Sequence, residues 1–457
     1  MANATRGASR SRSKTPRRAT SRRRGGSPTP KQSLELNPRT VGYEWGGPVG
    51  AACMVLLLPS IVLALNTLCS ETQCRIDGVY TLPTTLVETI KASVPYLPQA
   101  LGLELAWMAL HALLYLVPIG KQVKGMKLRN GETLVYNINA VYVFVVIHAV
   151  LGGLHYKGII DLAELADMFV PLMLAAIIIS TAMSVVLYMA SFRAPTVLLS
   201  AGGNTGSPAY DFWIGRELNP RSGALDWKFM CELRPGLIGW SVLNWAFVAK
   251  AVATGTWTPS IVAIALLDSF YTFEGLLFEE GNLTMMDIVH DGFGFMLCFG
   301  DLTWVPFTYT LKARFLAYHP VELSNAYVAF FCVLTLVGYI IFRGANNQKN
   351  KFRQNPRDPA VAKLKVMRTS QGKSLIISGF WGICRHPNYV GDWLVTLGCA
   401  ALTGTTALLP FFQPVYFAVL LIHRQLRDEQ HMREKYGEKD WAKYTSIVQY
   451  RLIPFVY

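Results

Sequence analysis

The chain contains repeated runs of about 20 mostly apolar residues, the length that an α-helix needs to cross the hydrocarbon core of a bilayer. The 457 residues are 52% hydrophobic and the mean hydropathy is +0.29, which is too apolar for an ordinary soluble domain. We therefore predict an all-α polytopic membrane protein with about ten transmembrane helices. The predicted spans are 48–68, 96–119, 136–154, 168–192, 236–256, 258–278, 293–311, 324–342, 390–408 and 409–423.

The charged residues between these runs predict the orientation of the chain. Ten spans place both termini on one side of the membrane. The positive-inside rule makes that side cytoplasmic, because the loop at 343–373 is rich in Lys and Arg. Lys312 and Arg314 oppose this orientation, since the predicted loop at 311–323 that holds them would face the lumen.

Residues 1–42 form a basic tail, rich in Arg and Ser, that we predict to be disordered because it has almost nothing to bury. Residues 1–40 hold 11 Lys or Arg against one acid, which accounts for +10 of the net charge of +14. A topology signal on the cytoplasmic or nucleoplasmic side is the simplest interpretation. Contact with nucleic acid, chromatin or anionic lipid is the alternative that such a charge favours. The membrane domain then extends over residues 43–457.

Cysteine spacing and one polar loop leave alternatives open. The eight cysteines show no metal-binding pattern, and Cys69 and Cys74 share a short loop in which a disulfide is possible but not required.

The loop at 202–240 interleaves aromatic residues and glycines with charges of both signs. Its charged residues either pair with one another to hold the loop or contact a ligand directly. They are Arg216, Glu217, Glu232 and Arg234.

Two polar clusters follow apolar runs near the C-terminus and predict a pocket that opens to water on one side. The first is 385–389 and the second is 423–429. Before them, Lys349 and Arg353 are four residues apart, so a helix would point both cations the same way. Such a pair suits a phosphate group, although a positive-inside patch would look the same. No GxGxxG follows a strand, so a Rossmann domain is excluded and a dinucleotide would bind in the membrane domain itself.

Acidic residues gather between 271 and 301, at the edge of a predicted span, where ionisable side chains are candidates for function. Tyr271 and Glu274 are three residues apart and share a helix face. His290 and Asp291 line a pocket or cap a helix; the sequence alone leaves both open.

Several long strings in the membrane domain resemble the sterol reductase family, in the branch of the delta-14 sterol reductases and the lamin B receptor. The strings are 202–220, 231–240, 287–297, 304–309, 348–359 and 379–392. The resemblance implies a helical bundle that holds NADPH in its C-terminal half, at about 340–457. The implied cofactor contacts are Lys349, Arg353, Ile376, Trp381, Asn388, Tyr389, Asp428, Met432, Arg433, Glu434, Lys435, Tyr436 and Tyr444.

The implied reaction is reduction of the C14–C15 double bond of a sterol in sterol biosynthesis, in the endoplasmic reticulum membrane or the inner nuclear membrane. A protein acid protonates C15 and the cofactor delivers hydride to C14. Tyr271, backed by the carboxyl of Glu274 or Asp428, is the predicted proton route. This chain departs from the family pattern at 271–274, 277–280 and 283–287, all on the predicted proton-donor side.

Two further functions remain open at this level. The resemblance to the lamin B receptor implies a nuclear-envelope protein that tethers chromatin or lamins through its basic tail, with or without reductase activity. A membrane methyltransferase that uses S-adenosylmethionine is the other, because its family shares an Arg-His-Pro-x-Tyr motif. Such enzymes are much shorter and lack the strings at 202–240 and 287–309.

Overall fold

The computed structural model describes residues 36–194 and 196–457, and this part of the chain is mostly helical, with three two-stranded antiparallel hairpins. Residues 1–35, which carry most of the basic tail and its predicted contacts with chromatin, nucleic acid or lamins, lie outside the described residues. The hairpins are β1 Lys121–Lys127 with β2 Thr133–Ile138, β3 Arg221–Ser222 with β4 Leu225–Asp226, and β5 Val366–Arg368 with β6 Ser374–Ile376.

The helices range from one turn to 30 residues. In chain order they are α1 Gly47–Leu68, α2 Leu82–Ser93, α3 Leu97–Leu116, α4 Ala140–Tyr156, α5 Leu162–Asp167, α6 Phe169–Ala190, α7 Pro208–Ile214, α8 Trp227–Leu233, α9 Pro235–Ala253, α10 Pro259–Leu277, α11 Glu279–Asn282, α12 Met286–Val289, α13 Phe295–Phe299, α14 Val305–Tyr309, α15 Leu311–Tyr318, α16 Asn325–Gln354, α17 Phe380–Ile383, α18 Pro387–Ala401, α19 Phe412–Tyr436 and α20 Glu438–Ile447.

Six helical segments of the described chain are long and apolar enough to cross a membrane, which confirms a multi-pass helical membrane protein. They are Gly47–Leu68, Leu82–Leu116, Phe169–Ala190, Trp227–Ala253, Pro259–Leu277 and Asn325–Gln354. The other predicted spans fall on shorter or interrupted helices: α4, α18, the first half of α19, and a segment in which a π-helical turn, Gly300–Trp304, separates α13 from α14. The count of ten therefore stays a prediction.

Helices α16 and α18 pack closely because glycines remove side chains from their contact. A Cβ added at Gly391 would clash with the backbone nitrogen of Phe342, and one at Gly398 would clash with the Thr335 hydroxyl. Small residues at such contacts let helix backbones approach each other. The 30 residues of α16 span about 45 Å, more than the ~30 Å hydrocarbon core. The polar last turns of α16, beside the start of α18, are therefore not needed to cross the apolar layer.

Lys312 and Arg314 are not loop charges, which corrects the predicted loop at 311–323. Both lie on α15 and are 1% and 3% exposed. Lys312 Nζ donates to Gln413 Oε1 at 2.6 Å and also pairs with Asp268, while Arg314 donates to the carbonyls of Asn66 and Cys69. Charges satisfied inside the protein do not count in the positive-inside comparison, so these two residues no longer oppose the predicted orientation.

The turn after α1 is closed by a disulfide between Cys69 and Cys74, the alternative that the spacing permitted. The four charged residues singled out in the 202–240 loop, Arg216, Glu217, Glu232 and Arg234, do not pair with one another. Glu217 pairs with Arg193 at 2.6 Å, and Arg234 pairs with Glu279 at 2.6 Å with both side chains almost fully buried. These two ion pairs join the loop to neighbouring elements, and a third, between Arg221 and Asp226 at 2.9 Å, lies within it.

Candidate functional site

A cavity of about 130 Å³ lies between the C-terminal ends of α16 and α19, hairpin β5–β6 and the start of α18. Most of the residues predicted to contact a cofactor line it. They are Lys349, Arg353, Ile376, Trp381, Asn388, Tyr389, Asp428, Met432, Tyr436 and Tyr444. Arg433, Glu434 and Lys435 share α19 but are not part of the lining.

Basic side chains crowd one side of this cavity. Lys349 Nζ lies 4.4 Å from the centre of the Trp381 ring, and Arg353 follows one turn later on α16. Lys373 and Lys435 approach the Tyr436 ring at 5.8 and 5.5 Å. Burial, and then the charges of Arg353 and Lys373, lower the pKa of Lys435. Within the described chain none of these four cations pairs with a carboxylate, so the cavity is arranged to receive an anion.

On the opposite side of the cavity, polar side chains from the start of α18 and from α19 face one another. Tyr389 Oη donates to Asp428 Oδ2 at 2.5 Å, and the His386 ring stacks on Tyr389 with its centroid 5.1 Å away. Burial lowers the pKa of His386 to about 4, so the imidazole is neutral at pH 7. In the described chain, His386 Nε2 and Asn388 Oδ1 are buried without hydrogen-bond partners. Buried orphan atoms beside a cavity are the expected state of groups that bind a polar ligand.

The C-terminal residues hold this wall in place. Arg385 and His386 donate their backbone N–H groups to the carbonyls of Tyr450 and Arg451. The guanidinium of Arg385 pairs with Glu429 at 2.7 Å, and Arg451 pairs with the other oxygen of Glu429 at 3.5 Å. Sequence reasoning did not identify this support, because it joins three separate segments of the chain, and the contacts of Arg385 with Gln449 and Tyr450 span 64 and 65 residues.

A second polar constellation lies inside the apolar bundle. Tyr271 Oη on α10 and Asp392 Oδ1 on α18 are 2.9 Å apart and share a hydrogen bond. The Trp240 ring packs against the Tyr271 ring at 6.1 Å. Asp392 ends the 379–392 string, which pointed to the family but not to this role.

The two carboxylates predicted to back Tyr271 bind elsewhere. Glu274 forms a close ion pair with Arg343, whose guanidinium stacks 3.9 Å above the Phe278 ring. Asp428 accepts its hydrogen bond from Tyr389. Tyr389 and Asp392 are three residues apart on α18, so the cavity and the Tyr271–Asp392 pair are separated by about one helical turn along that helix.

His290 and Asp291 form a pair outside this bundle. His290 Nδ1 lies 2.9 Å from Asp291 Oδ1, and hydrogen bonding to that carboxylate raises the pKa of His290. His290 also follows the last residue of α12 and donates its backbone N–H to the Met286 carbonyl. The backbone of His290 therefore ends α12, and neither residue is part of the cavity described above. The alternative that the two side chains line the sterol pocket stays a prediction.

Known delta(14)-sterol reductases are similar to this chain along nearly its whole length. The chain is 44% identical to the delta(14)-sterol reductase TM7SF2 of Mus musculus over 417 residues, covering 91% of this chain and 97% of that protein. It is 42% identical to the delta(14)-sterol reductase LBR of Gallus gallus, covering 90% of this chain and 64% of that longer protein. It is 40% identical to the delta(14)-sterol reductase erg24 of Schizosaccharomyces pombe, covering 91% and 97%.

The match to the family model begins at residue 39 and ends at residue 457. It therefore includes the cavity, the Tyr271–Asp392 pair and the helices that carry them, and excludes the basic tail. On this match and these identities, the chain belongs to the ergosterol biosynthesis ERG4/ERG24 family.

Proposed function

We propose that the chain is a delta(14)-sterol reductase that uses NADPH to saturate the C14–C15 double bond of a sterol. The observation that carries this proposal is the Tyr271–Asp392 hydrogen bond, one helical turn along α18 from a cavity with unpaired cations. Proton donor and hydride donor must approach the same double bond, so the reaction needs these two sites to be neighbours. The delta(14)-sterol reductases of mouse and fission yeast, which the chain resembles along nearly their full length, support the same reaction.

The cavity fits NADPH in its charge and its polar atoms. Lys349 and Arg353 would hold the 2′-phosphate, because a guanidinium and an ammonium one helical turn apart can bind the same anion. Trp381 would lie against a flat ring of the cofactor. His386 Nε2 and Asn388 Oδ1, unpartnered in the described chain, would gain hydrogen bonds. When bound, the cofactor supplies the hydride that reduces C14.

Tyr271 would supply the proton to C15. A phenol is a weak acid, and leaving its phenolate beside a charged carboxylate would be costly in an apolar site. We therefore place a proton on Asp392 in the reactive state. The protonated carboxyl then donates to the phenol oxygen across the 2.9 Å contact. As the phenolic proton moves to C15, Asp392 passes its own proton to Tyr271. Hydride at C14 and proton at C15 together complete the addition.

The other charges near Tyr271 are neutralised by ion pairs, and the apolar surroundings exclude water. Glu274 is neutralised by Arg343, so it does not compete for the Tyr271 proton. Lys312 and Asp268, which belong to the same bundle, are likewise paired. The apolar surroundings exclude water that would otherwise capture the cation formed at C14.

We also infer ten membrane crossings, in the endoplasmic reticulum or the inner nuclear membrane, with both termini on the cytoplasmic or nucleoplasmic side. Helix α4, the interrupted segment from α13 to α14, α18 and the apolar half of α19 would add four crossings to the six long segments. A tether acting through residues 1–40 is not favoured, since residues 1–35 lie outside the described chain and the family match begins at residue 39.

The test is NADPH-dependent reduction of a Δ8,14-sterol by membranes that carry the full chain, compared with Tyr271→Phe. The wild type should turn over, and the variant should lose roughly 10²- to 10⁴-fold in kcat, the usual contribution of a positioned acid. The KM for NADPH should stay unchanged, because Tyr271 does not line the cavity. A wild type without turnover, or a variant with full kcat, contradicts the proposal.

A further inference from the structure

A groove on the opposite side of α9 from the reaction site contains a single carboxyl in otherwise apolar surroundings. It has a volume of about 230 Å³ and lies among α3, α6, α9 and α14. Glu104 and Trp107, three residues apart on α3, form one wall, and Gly239 and Leu243 on α9 form part of another. Glu104 is the one ionisable side chain in the lining.

Glu104 has no partner to account for its place there. Among the described residues it forms no side-chain hydrogen bond and no ion pair, whereas the nearby Trp107 Nε1 donates to the Pro235 carbonyl at 3.1 Å. Two other buried charges in this bundle have ion-pair partners, since Arg234 pairs with Glu279 and Lys312 pairs with Asp268. An unpartnered carboxyl among apolar helices is costly unless a ligand meets it.

The groove is separate from the reaction site. Pro235, Gly239 and Val242 recur at helical spacing on α9 and line the groove. Trp240, on the other side of the same helix, packs against the Tyr271 ring. None of the residues that line the cofactor cavity takes part in the groove.

We propose that this groove binds a second sterol molecule, with its hydroxyl on Glu104 and its apolar body against α6 and α9. The groove lies between membrane helices, so its occupant comes from the bilayer. A phospholipid head group would set a phosphate against the carboxyl, and no cation lines the groove to offset it. An uncharged lipid with one hydroxyl satisfies Glu104, and a rigid ring system loses little conformational entropy on entering. The choice of a sterol rests on the proposed function, which places sterols at this protein.

The test uses the full chain in lipid nanodiscs with a photoreactive, alkyne-tagged sterol, and peptide mass spectrometry to locate the labels. Labelling of the 97–116 peptide should fall at least roughly fivefold in Glu104→Leu, the loss expected for one hydrogen bond. Glu104→Gln keeps a hydrogen-bonding group and should retain the label. Glu88→Leu, at an exposed glutamate on α2, is the matched control and should also retain it.

A second variant fills the groove and leaves Glu104 intact. A Cβ at Gly239 would meet only ordinary contacts, 3.7 Å from Trp107 Nε1 and 3.9 Å from Pro306 Cβ, so the side chain of Gly239→Leu starts without a clash and would extend into the groove. It should lose the same label. Unchanged labelling in both Glu104→Leu and Gly239→Leu, or equal labelling of 97–116 by a photoreactive diacylglycerol, would overturn the proposal. Groove labelling without sterol turnover would instead contradict the proposed function alone.

Discussion

The cofactor cavity and the interior of the helical bundle hold their charges in different ways. In the cavity, Lys349 and Arg353 form no ion pair within the described chain. In the bundle, Lys312 pairs with Asp268 and Arg234 with Glu279. A cation that lines a cavity can be neutralised by a bound anion, whereas a cation packed among apolar helices needs a permanent partner. In these two places, the unpaired cations line a cavity and the paired cations join helices.

Removing the two unpaired cations should give the largest effect. In Lys349→Ala/Arg353→Ala we expect kcat/KM with NADPH to fall by roughly 10²- to 10⁴-fold, since each charged hydrogen bond contributes about 1.5–3 kcal/mol. Activity with NADH, which lacks the 2′-phosphate, should change far less. Steady-state kinetics with both cofactors measures this. An equal loss of kcat/KM with the two cofactors would mean that these cations do not bind the 2′-phosphate.

Breaking a buried pair should cost stability instead of cofactor affinity. We expect Arg234→Met to lower the free energy of unfolding by about 3–5 kcal/mol, because Glu279 would be left charged and alone. The double variant Arg234→Met/Glu279→Met should recover most of the loss. Thermal denaturation in detergent compares the variants. A double variant no more stable than Arg234→Met would show that the pair is not the reason for the loss.

The histidine of the cavity wall predicts a pH effect. His386 has a pKa of about 4 in the folded chain and about 6.5 when unfolded, so the unfolded chain binds more protons between these values. Its contribution to stability is complete above pH 6.5 and is lost at about 1.4 kcal/mol per pH unit as the pH falls towards 4. His386→Gln should flatten this part of the stability–pH curve. A curve of the same slope in the variant would assign the effect to other groups.

The smallest effect is expected at the support of the cavity wall. Glu429 holds both Arg385 and Arg451, and it does not line the cavity. In Glu429→Gln we expect a rise of roughly five- to tenfold in the KM for NADPH, about the contribution of one hydrogen bond, with kcat unchanged. Glu434→Gln, on the same helix and also outside the lining, is the control. A larger loss in kcat than in KM would place Glu429 in the chemistry itself.

Local features of the sequence were sufficient to predict a helical membrane protein and many of the residues that line the cavity. The apolar runs predicted the long helices because span length follows directly from bilayer thickness. The spacing of Lys349 and Arg353 placed both on one helix face because that geometry is local. The string at 379–392 contains the lining residues Trp381, Asn388 and Tyr389. The family resemblance implied further lining residues, which are Ile376, Asp428, Met432, Tyr436 and Tyr444.

The tertiary structure decided which polar groups meet. Tyr271 and Asp392 are 121 residues apart in sequence, and nothing in their local patterns distinguishes this pairing from one with Glu274 or Asp428. Lys312 and Arg314 looked like loop charges because their partners lie far away along the chain. These partners are Gln413 for Lys312, and the carbonyls of Asn66 and Cys69 for Arg314. Hydrophobic period and residue spacing act within a helix, whereas the pairing of buried charges depends on how separate helices pack. The sequence therefore predicted the long helices and many of the residues that line the cavity, and the packing of separate helices brought Tyr271 and Asp392 together.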